Sequence, residues 1–251
     1  MNTFAIIQAR MGSTRLPGKV LLNIAPGTTI LECMIGRVKH CVEIDKTIIA
    51  TTESLEDMVL VEYLKENNIP YYIGSENDVL DRYYRTAIAH GAKKGDTIVR
   101  MTSDCPFIDP VVVDTTIRFF KDGDFDYVSN NLEPYTYPDG MDTEVLSFET
   151  LDRTWKEALT PAHREHVTFY IWKNPEIFRL GQCLNSKPNQ ANYRLTLDYQ
   201  TDLELLQKVY AGIYPKNTLF TMEEILSYLD AHPELININI NTERNASWTG
   251  I

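Results

Sequence analysis

The 251-residue chain carries 24 Lys and Arg against 35 Asp and Glu, a net charge of −11. That surplus repels polyanions at long range and argues against general nucleic-acid binding, so any phosphate site must be local and helped by a metal cation. The length fits one large α/β domain or two small ones, and a hydrophobic content of 43% is enough to build a sizeable core.

The first apolar run predicts a strand over 4–8, which stops at Gln8. Arg10, Arg15 and Lys19 follow, with Gly12 and Gly18 among them, in "QARMGSTRLPGK". Between a first strand and a first helix, a glycine-rich loop is where α/β folds bind phosphates, because its amides and the helix N-terminus face the anion. The dinucleotide fingerprint GxGxxG is absent. The pattern GxxxxGK[ST] nearly fits, but five residues separate Gly12 from Gly18, and Val20 stands where Ser or Thr belongs. What remains is a loop whose amides and three cations can wrap a triphosphate, arginine as a fork and lysine as a point charge. The competing reading is a solvated basic loop.

Residues 29–40 predict a helix with Ile30, Leu31, Met34, Ile35 and Val38 on one face and Thr29 and Glu32 at capping-box spacing. Strands over 46–51, 70–73 and 97–102 then alternate with helices over 54–67, 78–91 and 110–121, which argues for a parallel sheet with right-handed crossovers. Asp78 reads as a helix cap and Asp81 as a first-turn acid. Asp104 ends the strand 97–102, where a carboxylate is well placed for Mg²⁺, although it could also cap a helix. The only D-x-D triplets, Asp122-Gly123-Asp124 and Asp124-Phe125-Asp126, look like a turn after a helix end.

Past residue 125 the alternation loosens, with strands expected over 126–129, 178–183 and 193–197 and helices over 147–158, 162–173, 200–211 and 221–230. "NNLEPYTYPDGMDTE" is a long polar and aromatic loop of the kind that carries function. It offers Asp139, Asp142 and Glu144, and "AHREHV" offers Arg164, Glu165 and His166, although Thr160-Pro161 also reads as an ordinary helix start. Phe169, Tyr170 and Trp172 read as core. Asp198 follows the strand 193–197 as Asp104 follows its own, and Asp202 reads as an ordinary first-turn acid. The last dozen residues look frayed, and the sequon Asn245-Ala246-Ser247 reads as chance. Four scattered cysteines without a CxxC pair read as reduced thiols of a cytoplasmic protein. Neither a signal peptide nor an apolar run of about 18 residues, the length that spans a membrane, is expected.

"QARMGSTRLPGK" resembles the signature of the cytidylyltransferases that activate acidic sugars, the CMP-Kdo and CMP-sialic acid synthetase group, and within it the SpsF-like branch of spore coat polysaccharide biosynthesis. "GSENDVLDRYYRTA", "VRMTSDCPFIDP", "YPDGMDTEVLSFETL", "REHVTFYI" and "YRLTLDYQTDLELL" resemble that branch in the same order, over nearly the whole chain. The resemblance implies a nucleotide-diphospho-sugar transferase fold, Rossmann-like, with a mixed, mostly parallel sheet flanked by helices. It implies a single domain with a nucleotide-binding half over about 1–125 and an acceptor-binding half over about 126–240; homodimers are common in the wider group. The implied reaction moves CMP from CTP to an acidic sugar with Mg²⁺ and releases pyrophosphate. On that pattern Arg15 and Lys19 hold the triphosphate, with Arg10, Gly12 and Ser13 beside them. Gln8 and Ala9 line the base and ribose, Asp81 and Arg82 lie on the nucleotide side, and Asp104 and Asp198 bind the metal. Asp139, Asp142, Glu144, Arg164, Glu165 and His166 face the acceptor, with Arg164 on its acid group. The alternatives are a phosphorylated acceptor, GTP as donor, or a glycosyltransferase of related fold.

Overall fold

The computed structural model describes residues 1–187, 189–242 and 244. The sequon and most of the last dozen residues lie outside them.

Strand β1 (Thr3–Gln8) runs into the glycine loop and a 3₁₀ turn at Lys19–Leu21, then a two-stranded ribbon of β2 (Asn23–Ala25) and β3 (Thr28–Thr29). Helix α1 (Ile30–Val38) starts with the expected capping box, in which Thr29 and Glu32 each accept from the other's backbone N–H. There follow β4 (Lys46–Thr52), α2 (Met58–Glu66), β5 (Tyr71–Gly74), α3 (Val79–Ala89), β6 (Thr97–Thr102) and α4 (Pro110–Asp122). These match the alternation read from the sequence to within a few residues.

The second half is less regular. Strands β7 (Tyr127–Ser129) and β8 (Glu144–Ser147) precede α5 (Phe148–Glu157), α6 (Pro161–Glu165), α7 (Phe169–Trp172) and β9 (Leu180–Gln182). Helices α8 (Gln200–Ile213), α9 (Met222–Ala231) and α10 (Pro233–Ile236) close the described chain. Three expectations change here. The helix expected over 162–173 is two short pieces, because Val167 adopts a left-handed φ of 45° and Thr168 turns its hydroxyl onto Glu144. Residues 193–197 are extended but join no ladder, touching residue 139 through a single bridge between Asp139 and Arg194. Strand β8, whose only apolar pair is Val145 and Leu146, was hidden in the loop.

Among the described residues, seven strands form one sheet in the order β5-β4-β1-β6-β8-β7-β9. β5, β4, β1 and β6 are parallel, and β8 alone runs antiparallel to its neighbours β6 and β7. Chain order reverses between β1 and β6. In open α/β sheets a crevice opens there, beyond the carboxyl ends of the strands, and ligands bind in it.

Both faces of the sheet are covered, so the central strands are apolar throughout instead of alternating. Ala5 and Ile7 of β1 pack with α1, α2 and α4, while Phe4 and Ile6 pack with α3 and α5. A third cluster joins α8 and α9 to Leu195 and Leu197. The stripe Phe169, Tyr170 and Trp172 is buried or partly buried, as the core reading held. All four cysteines are buried and free, and burial pushes the thiols of Cys33 and Cys41 up to about 12, which keeps them protonated and unreactive. No helix among the described residues is long and apolar enough to cross a membrane.

Gly140 is where the long loop crosses residues 194–196. Its φ is 100°, and a Cβ there would stand 2.6 Å from the Leu195 carbonyl carbon and 2.7 Å from the Thr196 nitrogen. Backbone on both sides leaves nothing flexible to give way. Gly140→Ala is therefore expected to lower stability by about 2 kcal/mol or more, read as a lower urea midpoint at unchanged slope.

Candidate active site

The glycine loop is folded around one carbonyl: Ser13 and Gly18 both donate to Met11 O, at 2.8 and 2.9 Å. Buried Asp57 accepts from the Met11 N–H and pins the loop to the chain after β4. Gly18, at φ 69°, reverses the chain so that the 3₁₀ turn begins at Lys19. The ammonium of Lys19 thereby points over the end of the sheet. It lies 3.1 Å from Asp104 Oδ2, 3.1 Å from Asp198 Oδ1 and 2.6 Å from the Leu197 carbonyl oxygen. Arg15 adds a second cation, 2.6 Å from Asp198 Oδ1.

The carboxylates come from distant segments that are sewn together by backbone. Asp104 follows β6, and its carbonyl accepts from the Leu197 N–H at 2.8 Å and the Thr196 hydroxyl at 3.2 Å. Burial pushes the Lys19 ammonium down, but Asp104 and Asp198 outweigh it and hold the pKa above the ordinary lysine value. Burial likewise pushes Asp104 up, and Lys19 with the Thr102 hydroxyl brings it below the usual carboxylate range. Both groups are charged at neutral pH.

Behind Asp198 stands Arg194. It bonds Asp139 at 2.8 Å, Asp198 Oδ2 at 3.0 Å and both oxygens of Asp202 at 3.0 Å. Farther along, Arg244 donates to Asn131 at 2.6 Å, the Tyr137 carbonyl at 3.0 Å and Asp142 at 3.2 Å. The tail expected to fray is thus anchored at this residue. Asp142 lies at the end of this row. Burial, and then the charge of Asp139, raise its pKa to about 8.

Arg15, Lys19, Asp104, Asp139, Asp142, Arg194 and Asp198 line a cleft of about 1020 Å³ at the sheet reversal. Its lining holds seven carboxylates and seven lysines or arginines, so against a chain of net −11 it is locally enriched in positive charge. Gln8, Ala9, Arg10, Ser13, Arg15, Lys19, Arg82, Asp104 and Asp198 of the expected set all reach it. So do Asp139, Asp142, Glu144, Arg164, Glu165 and His166 on the other wall.

Several of these are already engaged. Gly12 and Asp81 do not line the cleft. The Asp81 carboxylate instead accepts from the Trp155 indole at 2.7 Å and Arg85 at 3.3 Å, so its side chain ties α3 to α5. Arg82 is buried and donates to the carbonyls of Ser75 and Glu76, bracing the cleft rim. Arg164 makes a two-pronged pair with Asp78, at 2.6 to 2.9 Å, and donates to the Trp155 carbonyl at 2.8 Å. A role on an acceptor's acid group would require it to leave those partners. Glu144 takes Arg100, its register partner on β6, together with the Tyr127 and Thr168 hydroxyls. Burial lowers His166 below the ordinary histidine value, so it is neutral at pH 7.

Sequence reasoning missed Arg100, Arg194 and Arg244. A charge inside the otherwise apolar "TIVRMT" was a usable signal, since a buried arginine needs a partner. For Arg194 the signal was the spacing to Asp198 and Asp202; Arg244 had none. The D-x-D triplets are a turn: Asp124 and Asp126 pair with Arg179, away from the cleft.

Among the described residues no group of three or more His, Cys, Asp or Glu side chains is placed to hold a metal ion. Asp104 and Asp198 nonetheless face one common point, marked by the Lys19 ammonium. Two carboxylates completed by substrate phosphates are a donor set that suits Mg²⁺.

A strand-end glycine loop carrying cations, paired carboxylates and a large polar cleft at the sheet reversal define a nucleotidyltransferase of Rossmann-like fold. The cytidylyltransferase family model matches residues 4–226, and the chain belongs to that family. Uncharacterized protein MJ1063 of Methanocaldococcus jannaschii is 34% identical, covering 98% of each chain. Spore coat polysaccharide biosynthesis protein SpsF of Bacillus subtilis is 33% identical, covering 96% of this chain and 97% of its own. A solved cytidylyltransferase structure from Leptospira borgpetersenii superposes with a TM-score of 0.87 at 31% identity, over 97% of this chain and 99% of that one.

Lys19→Ala and Arg15→Ala each remove a charged contact worth roughly 1.5–3 kcal/mol. Each is expected to cut kcat/KM for the nucleotide by about ten- to a hundredfold; unchanged kinetics in both would take the loop out of the site. Asp142 predicts a pH effect. Its folded pKa is raised above the unfolded one, so the native state holds the extra proton and stability falls as pH climbs toward about 8. Asp142→Asn should flatten that decline in a series of melting temperatures between about pH 5 and 8.

Proposed function

We propose that the protein transfers CMP from CTP to an acidic sugar, releasing pyrophosphate with Mg²⁺ as cofactor, in the assembly of a surface polysaccharide or glycan. The observation that carries this reading is the convergence of Lys19, from the phosphate loop, on Asp104 and Asp198. Triphosphate-binding cations and metal-binding carboxylates meet at one point, where an α-phosphate would be attacked.

In this reading Gln8 and Ala9, at the end of β1, lie against the base and ribose. Arg10, Arg15 and Lys19 hold the β- and γ-phosphates and neutralise the pyrophosphate as it leaves. Asp104 and Asp198 would hold the metal, which when bound would supply charge neutralisation at the α-phosphate and lower the pKa of the attacking hydroxyl. Phosphoryl and nucleotidyl transfers need little covalent work from a protein, so positioning and electrostatics carry the rate. The acceptor rests against Asn131, Asp139, Asp142 and His166. Neutral His166 can hydrogen-bond a hydroxyl without contributing charge. Residues 1–125 form the nucleotide half and 126–240 the acceptor half, which in a homodimer would also supply the contact between copies.

The test is pyrophosphate release from four nucleoside triphosphates against a panel of acidic sugars and sugar phosphates. CTP with a 2-keto-3-deoxy acidic sugar is expected to turn over, with a rate that rises with pH as the acceptor hydroxyl ionises. Asp104→Asn should abolish the signal. CTP should also give the largest rise in melting temperature, since binding only the native state stabilises it. A larger rise with GTP would overturn the base assignment. Turnover of sugar phosphates alone, flat above about pH 7 because their second pKa is roughly 6, would overturn the acceptor.

A further inference from the structure

The geometry points to Arg194 as a positioning residue: it sets the orientation of the Asp198 carboxylate toward the cation site and ties that carboxylate to the acceptor loop through Asp139. This inference rests on the proposal that Asp104 and Asp198 hold the cation.

The two oxygens of Asp198 have separate duties. Oδ1 faces the cleft and takes Arg15 at 2.6 Å and Lys19 at 3.1 Å. Oδ2 is held from behind by Arg194 Nη2 at 3.0 Å. The guanidinium is itself immobilised, because Nε and Nη2 each lie 3.0 Å from one oxygen of the fully buried Asp202. Asp202 also accepts the N–H groups of Asp198 and Tyr199, both at 2.9 Å, so side chain and backbone of Asp198 are referred to one anchor. Nη1 reaches Asp139 at 2.8 Å, and the backbone bonds Asp139 N–Tyr193 O and Leu195 N–Asp139 O, at 3.0 and 2.7 Å, lock the loop beside it.

A planar fork with fixed angles can hold three carboxylates in one arrangement, whereas an ammonium on a flexible stem cannot. With the Arg194 side chain only 9% exposed, no water replaces it cheaply. Without it, Asp198 is free to turn both oxygens onto Arg15 and Lys19, and the carboxylate would no longer present a single oxygen to the cation. Groups that orient a metal-binding side chain from behind are typically worth about ten- to a hundredfold in metal affinity or activity.

Arg194→Lys keeps the charge and loses the fork. Mn²⁺, standing in for Mg²⁺, is titrated into the full chain with a non-hydrolysable CTP analogue, and free Mn²⁺ is read by electron paramagnetic resonance. The Mn²⁺ dissociation constant is expected to rise about ten- to a hundredfold, with kcat falling in parallel and KM for CTP nearly unchanged. A folded variant with a lower melting temperature but parental Mn²⁺ affinity and kcat would show that Arg194 only stabilises the fold, and would overturn the inference. If Arg194→Lys does not fold, the isosteric Asp139→Asn is read in the same titration. Weakened Mn²⁺ binding supports the tie, and unchanged binding overturns it. Parent protein that binds no Mn²⁺ with nucleotide would remove the cation site itself, and the inference with it, which is a different result from a variant that matches its parent.

Discussion

One largely buried ammonium organises the end of the sheet. Lys19 leaves water to sit between Asp104, Asp198 and the Leu197 carbonyl, contacts that join segments 85 and 179 residues away in sequence. Desolvating such a charge is costly, and the arrangement persists only because two carboxylates and a carbonyl oxygen replace the lost water. The reciprocal shifts agree in direction, with the ammonium raised and Asp104 lowered. The glycine loop, the end of β6 and the turn before α8 therefore hold their positions as one unit. In the proposed reading an incoming triphosphate would meet cations that already have partners, so its binding would be an exchange of counter-charges and not a simple addition.

From this point the charges alternate outward: Lys19, Asp198, Arg194, Asp139, Arg244, Asp142. Alternation is how an acidic chain keeps so many carboxylates in one cleft. Each inner acid lies between cations, whereas Asp142 is served only by Arg244 and stands next to Asp139. Burial is the first cause of its raised pKa, and the charge of Asp139 adds to it. Electrostatic character thus changes along the cleft, from the cation-lined end at Lys19 and Arg15 to the end at Asp139 and Asp142, whose carboxylates are paired with arginines.

The first half of the chain was legible because its devices are local. A strand, a glycine loop, a capping box at Thr29 and Glu32, and strand–helix alternation all leave their marks within about a dozen residues. Asp104 and Asp198 could be placed at strand ends on the same grounds, even though residues 193–197 turned out to be extended chain without a ladder. Direction was not legible. Asp81 and Arg164 have the right chemistry near the right place, but one faces Trp155 and the other is spent on Asp78. The break at Val167 escaped notice because a β-branched residue with positive φ is disfavoured by its own local chemistry, and long-range ties impose it.

The second half of the chain is built differently. Its one antiparallel strand, β8, sits between β6 and β7, and the loop that feeds it crosses residues 194–196 so closely that Gly140 has no room for a side chain. Contacts there, such as Arg194 with Asp139 and Arg244 with Asn131, span 55 and 113 residues. No periodicity encodes such pairs. A generic α/β scaffold supplies the glycine-loop end of the cleft, and specific long-range ion pairs shape the other. Substitutions in the loop 130–143 can therefore reshape that wall of the cleft while β1, β4 and β6 keep their register.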